Sequence, residues 1–353
     1  MAKVLMKGNE AIAEAAISAG CTCFFGYPIT PQNQIPEYMS KRMPQIGGTF
    51  VQAESEVAAI NMVYGAAGAG ARVMTSSSSP GISLKQEGIS YIACAELPCL
   101  IVNMVRSGPG LGGILPSQGD YFQAVKGGGH GDYRLITLAP SSVQEAVDMV
   151  MLGFDLADMY RNPVMILGDG MIGQMMEPAE FTKHEKRDLP PKTWAATGWK
   201  DKTRPRAIIN SLYIEAEVMS EVNAHLQKKY AEIAKNETRV EEYMTEDAEY
   251  IIAAFGTTAR VAKSAAQMAR KEGFKVGVIR PITLWPFPSA AFAKVAEKVR
   301  GILTVEMNCG QMVEDVRLAV SGRVPVEFYG TTGGFVPEQR DILKKLREMK
   351  EGK

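Results

Sequence analysis

Arg106 ends the apolar run 99–106 and precedes a glycine-rich segment, residues 107–119. A permanently charged guanidinium at a strand end, beside a flexible loop, suits recognition of a carboxylate. Ligands of open α/β sheets usually bind at this end of the strands. The alternative interpretation is an ordinary surface arginine, which is common in proteins.

A serine tract precedes this region. Residues 75–81 (TSSSSPG) follow the strand-like run 73–76 and precede a helix predicted over residues 82–94. Hydroxyls and backbone N–H groups at a helix N-terminus can bind an anion. A helix-capping turn explains the same residues equally well.

Glu54 and Glu56 stand at the start of an alanine-rich stretch that predicts a helix over residues 54–70. Acidic residues are favoured at the positive N-terminal end of a helix, which is sufficient to explain both. Their residue types alone therefore do not assign either glutamate a chemical role.

Several familiar sites are disfavoured. The glycines of residues 65–70 lie in or at the end of a helix, and Gly256 lacks the rest of a dinucleotide fingerprint, so NAD or ATP binding is not expected at either place. The five cysteines form no C-x-x-C pair and there are only three histidines, so the chain shows no zinc or iron–sulfur pattern. We expect reduced, mostly buried thiols and no metal site.

Strand-like and helical runs alternate from residue 9 to about 180. This pattern predicts an α/β fold with a doubly wound parallel sheet over residues 1–180. Residues 181–206 read as an irregular connection and residues 210–242 as an exposed helix or helix pair, which together make a linker over 181–246. A smaller α/β unit is predicted over residues 247–353.

The composition is that of an ordinary globular protein, with 46% hydrophobic residues and 39 basic against 39 acidic side chains. A balanced charge gives no field to attract nucleic acid or an anionic membrane. The apolar runs are too short to span a bilayer and the N-terminus does not read as a signal peptide. We expect a cytoplasmic protein.

The motifs, taken in order, resemble one family. The segments are GYPITP at 26–31, AESEVAA at 53–59, TSSSSPG at 75–81, Arg106, QGD at 118–120, FGT at 255–257, RPITLWPFP at 280–288 and EMN at 306–308. Over nearly the whole chain they resemble the pyrimidine-binding (alpha-type) subunit of 2-oxoacid:ferredoxin oxidoreductases. The resemblance implies a thiamine-diphosphate pyrimidine-binding domain followed by a transketolase-C-terminal-like domain.

The resemblance assigns roles residue by residue. Glu56, not Glu54, matches the glutamate that hydrogen-bonds N1′ of the aminopyrimidine of thiamine diphosphate and so promotes loss of the thiazolium C2 proton. Thr30 and Arg106 match positions near the carboxylate of the 2-oxoacid. The remaining candidates for lining the pocket are Tyr27, Thr75, Ser76 and Ser77.

The same resemblance exposes what the chain lacks. Thiamine enzymes hold the magnesium of the diphosphate between a Gly-Asp-Gly and an Asn-Asn, but after Gly168-Asp169-Gly170 the corresponding window, around 193–202, has no asparagine. A tight turn is the better interpretation of Asp169. Mg²⁺ and iron–sulfur clusters are therefore expected on partner subunits: a diphosphate-binding subunit, a gamma-type subunit and a ferredoxin-like iron–sulfur subunit. The chain alone should be inactive.

The implied reaction is the coenzyme A-dependent oxidative decarboxylation of a 2-oxoacid with ferredoxin as electron acceptor. The segments MKGNEA at 6–11 and KGGGHGD at 126–132 resemble the branched-chain (3-methyl-2-oxobutanoate) enzymes most. The alternatives are a 2-oxoglutarate or pyruvate enzyme of the same family, a transketolase- or pyruvate-dehydrogenase-like subunit without ferredoxin, and a non-enzymatic scaffold subunit.

Overall fold

A computed structural model of the chain describes residues 3–181, 187–199 and 205–352. Part of the irregular connection predicted at 181–206, namely residues 182–186 and 200–204, lies outside the described residues. Across the described ranges, no helix combines the length and the apolar character needed to cross a bilayer.

The first unit alternates strands and helices. Its elements are β1 Val4–Lys7, α1 Gly8–Ser18, β2 Cys23–Gly26, α2 Gln34–Arg42, β3 Thr49–Gln52, α3 Glu56–Gly68, β4 Val73–Ser77, α4 Pro80–Cys94, β5 Cys99–Val105, α5 Tyr121–Val125, β6 Ile136–Leu138, α6 Val143–Tyr160, β7 Pro163–Asp169, α7 Gly170–Gln174 and β8 Met176–Ala179. A short 3-10 turn precedes β3. Every residue of β5 and of β7 is buried, as is usual for parallel strands covered on both faces.

A long helix leads to the second unit. The elements are α8 Ala216–Glu237, β9 Val240–Tyr243, β10 Tyr250–Ala253, α9 Gly256–Lys271, β11 Val276–Pro281, β12 Thr283–Trp285, α10 Ser289–Val295, β13 Gly301–Glu306, α11 Met312–Val320, β14 Val326–Gly330 and α12 Gln339–Glu351. The pattern of a parallel sheet with crossover helices therefore recurs after α8.

Three sheets organise these elements. A seven-stranded sheet has the order β12-β6-β7-β5-β4-β2-β3, a five-stranded sheet has the order β14-β13-β10-β11-β9, and β1 pairs with β8. Within the large sheet all pairings are parallel except the antiparallel edge pair of β12 with β6. The predicted doubly wound parallel sheet followed by a smaller α/β unit is confirmed.

The helix predicted over 210–242 is wrong at both ends. Residues 210–214 are not helical, α8 covers only Ala216–Glu237, and Val240–Tyr243 is a strand that pairs antiparallel with β11. The glutamates of this strand favour a helix when only their sequence neighbours are considered. The strand forms because it pairs with residues far along the chain. Part of the predicted linker thus belongs to the second sheet, while the domain bounds themselves stay a prediction.

The core lies on both faces of the large sheet. Neighbouring residues of a strand enter different clusters: Phe24 and Phe25 point to opposite sides, as do Ile101 and Val102. The cluster that contains Phe25 and Ile101 continues into the second unit through residues such as Phe292. The two units therefore share one apolar core on that side.

Candidate active site

The strands β2, β3 and β4 form the point where the large sheet reverses its winding. β3 lies on one side of β2 and β4 on the other. Helix α2, which follows β2, packs on one face through Ile35 and Met39, whereas α3, which follows β3, packs on the opposite face through Ile60 and Val63. The carboxyl ends of strands at such a switch point are the usual ligand position of open α/β sheets.

Glu56 is the first residue of α3 and its side chain is buried, with 6% exposed. Ser55 caps the helix, its Oγ accepting a hydrogen bond from the Ala58 N–H at 3.2 Å. Glu54 is exposed and accepts a hydrogen bond from the Ser55 hydroxyl at 2.9 Å. Within the described ranges, no hydrogen bond to the Glu56 carboxylate is formed. A buried acid without a partner is unusual, so the two glutamates differ sharply in environment.

Gly81, in the first turn of α4, lies against this carboxylate. A Cβ atom at Gly81 would stand 2.6 Å from Glu56 Oε1 and 2.0 Å from Ser77 Oγ. Both distances are far below van der Waals contact. Glycine is therefore required for the backbone of α4 to approach the glutamate and the end of β4 this closely.

The end of β4 and the residue after it carry four fully buried hydroxyl groups. They belong to Thr75, Ser76, Ser77 and Ser78. Ser76 donates to Gln32 Oε1 at 2.5 Å, and Thr75 Oγ1 accepts from Lys85 Nζ at 2.5 Å. Among the residues that the structure describes, the hydroxyl oxygens of Ser77 and Ser78 have no hydrogen-bond partner. Of the predicted lining residues, Ser77 thus keeps an unpartnered hydroxyl, while Thr75 and Ser76 are engaged inside the protein.

The loop after β2 holds Tyr27 and Thr30. Tyr27 is partly exposed, and its carbonyl accepts a hydrogen bond from Gln32 Nε2 at 3.4 Å. Thr30 Oγ1 accepts a hydrogen bond from Asn33 Nδ2 at 3.4 Å. Asn9 Nδ2 donates to the next carbonyl, that of Pro31, at 2.8 Å. Side-chain amides from neighbouring segments therefore hold this loop at the edge of the sheet.

Arg106 follows β5 and joins two loops. Its Nη1 donates to the Thr30 carbonyl at 3.0 Å and its Nη2 to the Leu111 carbonyl at 2.8 Å. The side chain is buried, with 8% of the residue exposed, and its Nε has no partner in the part of the chain that the structure describes. The structure therefore brings Thr30 and Arg106 together, but much of the guanidinium holds loops, and its unpartnered donor is Nε.

A cavity of about 330 Å³ opens beside Arg106, between the glycine-rich loop and the second unit. Its lining includes Ser79, Pro80, Asp120 and Asn308. Asp120 accepts a hydrogen bond from Asn103 Nδ2 at 2.8 Å, and burial raises the pKa of its carboxyl group. Glu56 does not line this cavity, but Pro80 does and is followed directly by Gly81. The N-terminus of α4 thus separates Glu56 from the cavity.

Asp169 belongs to the framework of the fold. Its Oδ1 caps α7 by accepting the N–H groups of Met171 at 3.0 Å and Ile172 at 3.2 Å. From the second unit, the Thr257 hydroxyl donates to the same oxygen at 2.9 Å, and the Thr257 N–H donates to Asp169 Oδ2 at 3.3 Å. The turn at Gly168–Gly170 is therefore a structural junction. Within residues 3–181, 187–199 and 205–352, no group of three His, Cys, Asp or Glu side chains is suited to a metal.

Two residues of the site escape sequence reasoning, Gly81 and Lys85. Both lie on the buried stripe of α4, four residues apart. A lysine that interrupts an apolar stripe at helical spacing is a signal that the sequence contains. The sequence does not show, however, that this stripe packs against the start of α3.

Comparison with known proteins places the chain in a family. The model described as "Pyruvate flavodoxin/ferredoxin oxidoreductase, thiamine diP-bdg" matches residues 14–245, and "Pyruvate:ferredoxin oxidoreductase core domain II" matches residues 248–342. Ketoisovalerate oxidoreductase subunit VorB of Methanothermobacter marburgensis is 53% identical, over 99% of this chain and 98% of that one. 2-Oxoglutarate synthase subunit KorA of Methanothermobacter thermautotrophicus is 36% identical, over 98% of each chain.

A solved structure is similar over nearly the whole chain. It is the 2-oxoglutarate:ferredoxin oxidoreductase from Magnetococcus marinus with 2-oxoglutarate, coenzyme A and succinyl-CoA bound, at 28% identity and a TM-score of 0.86. The match covers 98% of this chain but only 65% of the solved chain, which is the longer of the two. With its matched domains, its full-length relatives and this fold, the chain belongs to the thiamine-diphosphate-dependent 2-oxoacid:ferredoxin oxidoreductase family.

Proposed function

We propose that this chain supplies the pyrimidine half of a thiamine diphosphate site shared with a partner subunit. The observation that carries the proposal is the buried, unpartnered carboxylate of Glu56 at the switch point of the sheet. An aminopyrimidine ring offers both donors and acceptors. The carboxylate of Glu56 and the free hydroxyls of Ser77 and Ser78 fit such a ring.

Glu56 would contact N1′ of the aminopyrimidine and hold or release a proton there. When bound, thiamine diphosphate supplies the carbanion chemistry that 2-oxoacid decarboxylation requires. The low exposure of Glu56 keeps water from competing for the contact and strengthens a charge-assisted hydrogen bond. Glu54 is exposed and already bonded to Ser55, which supports the choice of Glu56.

Thr30 and Arg106 would receive the carboxylate of the 2-oxoacid. The guanidinium is buried beside a cavity and keeps Nε free. A carboxylate that reached Nε would gain a charge-assisted hydrogen bond in a site sheltered from solvent. Tyr27, Thr75, Ser76 and Ser77 complete the proposed lining, with Thr75 and Ser76 acting through the contacts they already make.

The substrate proposed is a branched-chain 2-oxoacid, 3-methyl-2-oxobutanoate, with coenzyme A as acyl acceptor and ferredoxin as electron acceptor. The named activity of the VorB relative, at 53% identity, supports this choice over 2-oxoglutarate, the substrate named for the KorA relative at 36%. We place the enzyme in the cytoplasm.

The remaining parts of the enzyme are proposed to lie on other chains: a diphosphate-binding subunit with Mg²⁺, a gamma-type subunit and a ferredoxin-like iron–sulfur subunit. The absence of an asparagine from the window 193–202 supports a magnesium site elsewhere. The relatives are themselves named as subunits. The greater length of the solved 2-oxoglutarate enzyme chain is consistent with parts that here are separate.

The first test compares Glu56→Gln with Glu54→Gln in the assembled complex. Glu56→Gln keeps the size of the side chain but removes its charge, and we expect turnover to fall by roughly 100-fold or more, as is usual when a group central to acid–base chemistry is lost. Glu54→Gln should stay near normal. The measurement is viologen reduction with 3-methyl-2-oxobutanoate, 2-oxoglutarate and pyruvate, each with coenzyme A.

Normal turnover of the Glu56→Gln complex would contradict the assignment of Glu56. A preference for 2-oxoglutarate or pyruvate in the unaltered complex would retain the family chemistry and overturn the proposed substrate.

A further inference from the structure

Lys85 is fully buried in α4. Its Nζ donates to Thr75 Oγ1 at 2.5 Å and to the Ser76 carbonyl at 3.3 Å. No carboxylate of the described ranges lies within the 4.0 Å of an ion pair with it. A lysine is almost never fully buried without an acidic partner, because its charged form then loses its hydration. Its place in the fold therefore calls for an explanation.

The ammonium group lies in the same layer as Glu56. Lys85 and Gly81 are four residues apart on α4 and share its inner face. Gly81 touches Ser77 and Glu56, and Lys85 touches Thr75, which is two residues before Ser77 on the same side of β4. Lys85 thus lies one helical turn further along α4 than Gly81, the residue that lies against the glutamate.

Among the described residues, two titratable groups act on Lys85. Burial lowers the pKa of Lys85 to about 7, and the charges of Glu56 and Cys99 oppose this change. Burial also raises the pKa of the Cys99 thiol to about 12, so that group is neutral near pH 7. The charged neighbour that remains is Glu56. Attraction between opposite charges is mutual, so a charged Lys85 also attracts the Glu56 carboxylate.

We propose that Lys85 is a positioning residue for Glu56: the buried ammonium group of Lys85 attracts the carboxylate and holds it in the orientation from which it contacts the cofactor. Lys85 acts through the electric field and does not touch the ligand. The inference rests on the proposed function, since Glu56 is assigned its cofactor contact there. The charge on Lys85 changes near neutral pH, so the strength of this attraction depends on pH.

The first experiment measures the coupling in the full chain without cofactor. With ¹³C-labelled lysine, NMR follows the Cε resonance of Lys85, recognised by its titration near neutral pH and by its loss in Lys85→Met. We expect Glu56→Gln to lower the pKa of Lys85, because the negative charge that favours the ammonium form is gone. The exposed Glu54→Gln is the control and should leave the titration unchanged. The same Lys85 titration in Glu56→Gln and in the unaltered chain would overturn the proposal.

The second experiment uses the assembled complex and compares Lys85→Met with Lys229→Met. Lys229 is the matched control, because it is also a largely buried lysine but pairs with Glu96 at 3.1 Å, away from the site. Burial places the pKa of Lys85 near 7, so its charge changes within the range of the assay. In Lys85→Met, the part of the kcat–pH profile that follows this change near neutral pH should therefore be lost, whereas Lys229→Met should keep it.

A purely structural lysine gives a different result. Both variants would then lose stability while the pH profile of each stayed in place, and that outcome would overturn the proposal. Failure of the underlying function is distinct: Lys85 would still respond to Glu56→Gln in the free chain, but the Glu56→Gln complex would keep its turnover.

Discussion

At the scale of single residues, the site contains buried polar groups that the chain leaves unsatisfied. The hydroxyls of Ser77 and Ser78 and the Nε of Arg106 have no partner within residues 3–181, 187–199 and 205–352. An unsatisfied buried polar group costs about 1–3 kcal/mol. Such groups recur at functional sites, where the ligand supplies the missing partner. Sequence could identify Arg106 from its place at a strand end, but nothing local in it shows that Glu56 is buried and Glu54 is not.

Arg106 offers a prediction at this scale. In the complex, Arg106→Ala should lower kcat/KM for the 2-oxoacid by roughly 10- to 100-fold, the effect of losing a hydrogen bond between charged groups. Arg106→Lys keeps the positive charge but loses the paired N–H donors of the guanidinium group. Its kcat/KM for the 2-oxoacid should therefore lie between those of the unaltered complex and of Arg106→Ala. The kcat/KM for coenzyme A, measured with saturating 2-oxoacid, serves as the internal control. An unchanged kcat/KM for the 2-oxoacid in Arg106→Ala would remove the arginine from carboxylate recognition and leave it the clamp between two loops.

At the scale of elements, the start of α4 determines the geometry of the site. Ser79, just before the helix, has a positive φ of 25°, a conformation that a non-glycine residue adopts only when its surroundings hold it. Its N–H donates to Asn103 Oδ1 at 3.1 Å, and its hydroxyl accepts from the Arg106 N–H at 3.1 Å. β5 and the residue after it therefore fix the position from which α4 begins.

The close approach of α4 to Glu56 is tested by a pair of glycine variants. Gly81→Ala places a methyl group where Ser77 Oγ and Glu56 Oε1 now lie, so we expect a loss of about 1–3 kcal/mol in the free energy of unfolding and reduced turnover. Gly65→Ala is the control. Gly65 is exposed within α3 and a Cβ there meets nothing within 4 Å, so that change should stabilise the chain by up to about 1 kcal/mol. Urea unfolding measures the free energy of unfolding of both variants. Equal changes in the two would contradict the close packing of Gly81 against Glu56 and Ser77.

The elements themselves were predictable where local pattern decides. Helix α4, Pro80–Cys94, covers the helix predicted over 82–94, and β5, Cys99–Val105, covers nearly the whole strand-like run 99–106, because spacing and apolar runs are local signals. The local pattern predicts helix where β9 lies and no strand at β12, because both strands depend on distant partners. The candidate residues at strand ends can be predicted for the same reason. The roles of Lys85 and Gly81 cannot, because they depend on the packing of α4 against α3.

At the scale of the whole molecule, Asp169 ties the two units together beside the site. Burial raises the pKa of its carboxyl group, whereas the hydrogen bonds from Thr257 lower it. These bonds therefore favour the charged form. When the pKa of a carboxyl group is raised in the folded chain, the free energy of unfolding falls as the pH rises through that pKa. The hydrogen bonds from Thr257 reduce this loss.

Thr257→Val removes the hydroxyl donor while nearly keeping its shape. We expect a loss of roughly 1.5–3 kcal/mol in the free energy of unfolding where Asp169 is charged, and a smaller loss as the pH falls through its folded pKa. The control is Thr304→Val, because the buried Thr304 hydroxyl has no partner among the described residues and its loss should be neutral or stabilising. Urea midpoints measured over a series of pH values decide. Equal midpoints for the two variants would show that the junction contributes nothing.

The strand β12 limits where chains of this family can be split into two fragments or joined to parts of a relative. Thr283–Trp285 comes from the second unit but completes the edge of the first unit's sheet beside β6. A break in the gene near residue 246 would leave the first fragment with an open strand edge and the second with a strand that has no sheet to join. Exchange of the second domain between relatives must therefore carry a compatible edge strand with it, so the two halves are constrained to evolve as a pair.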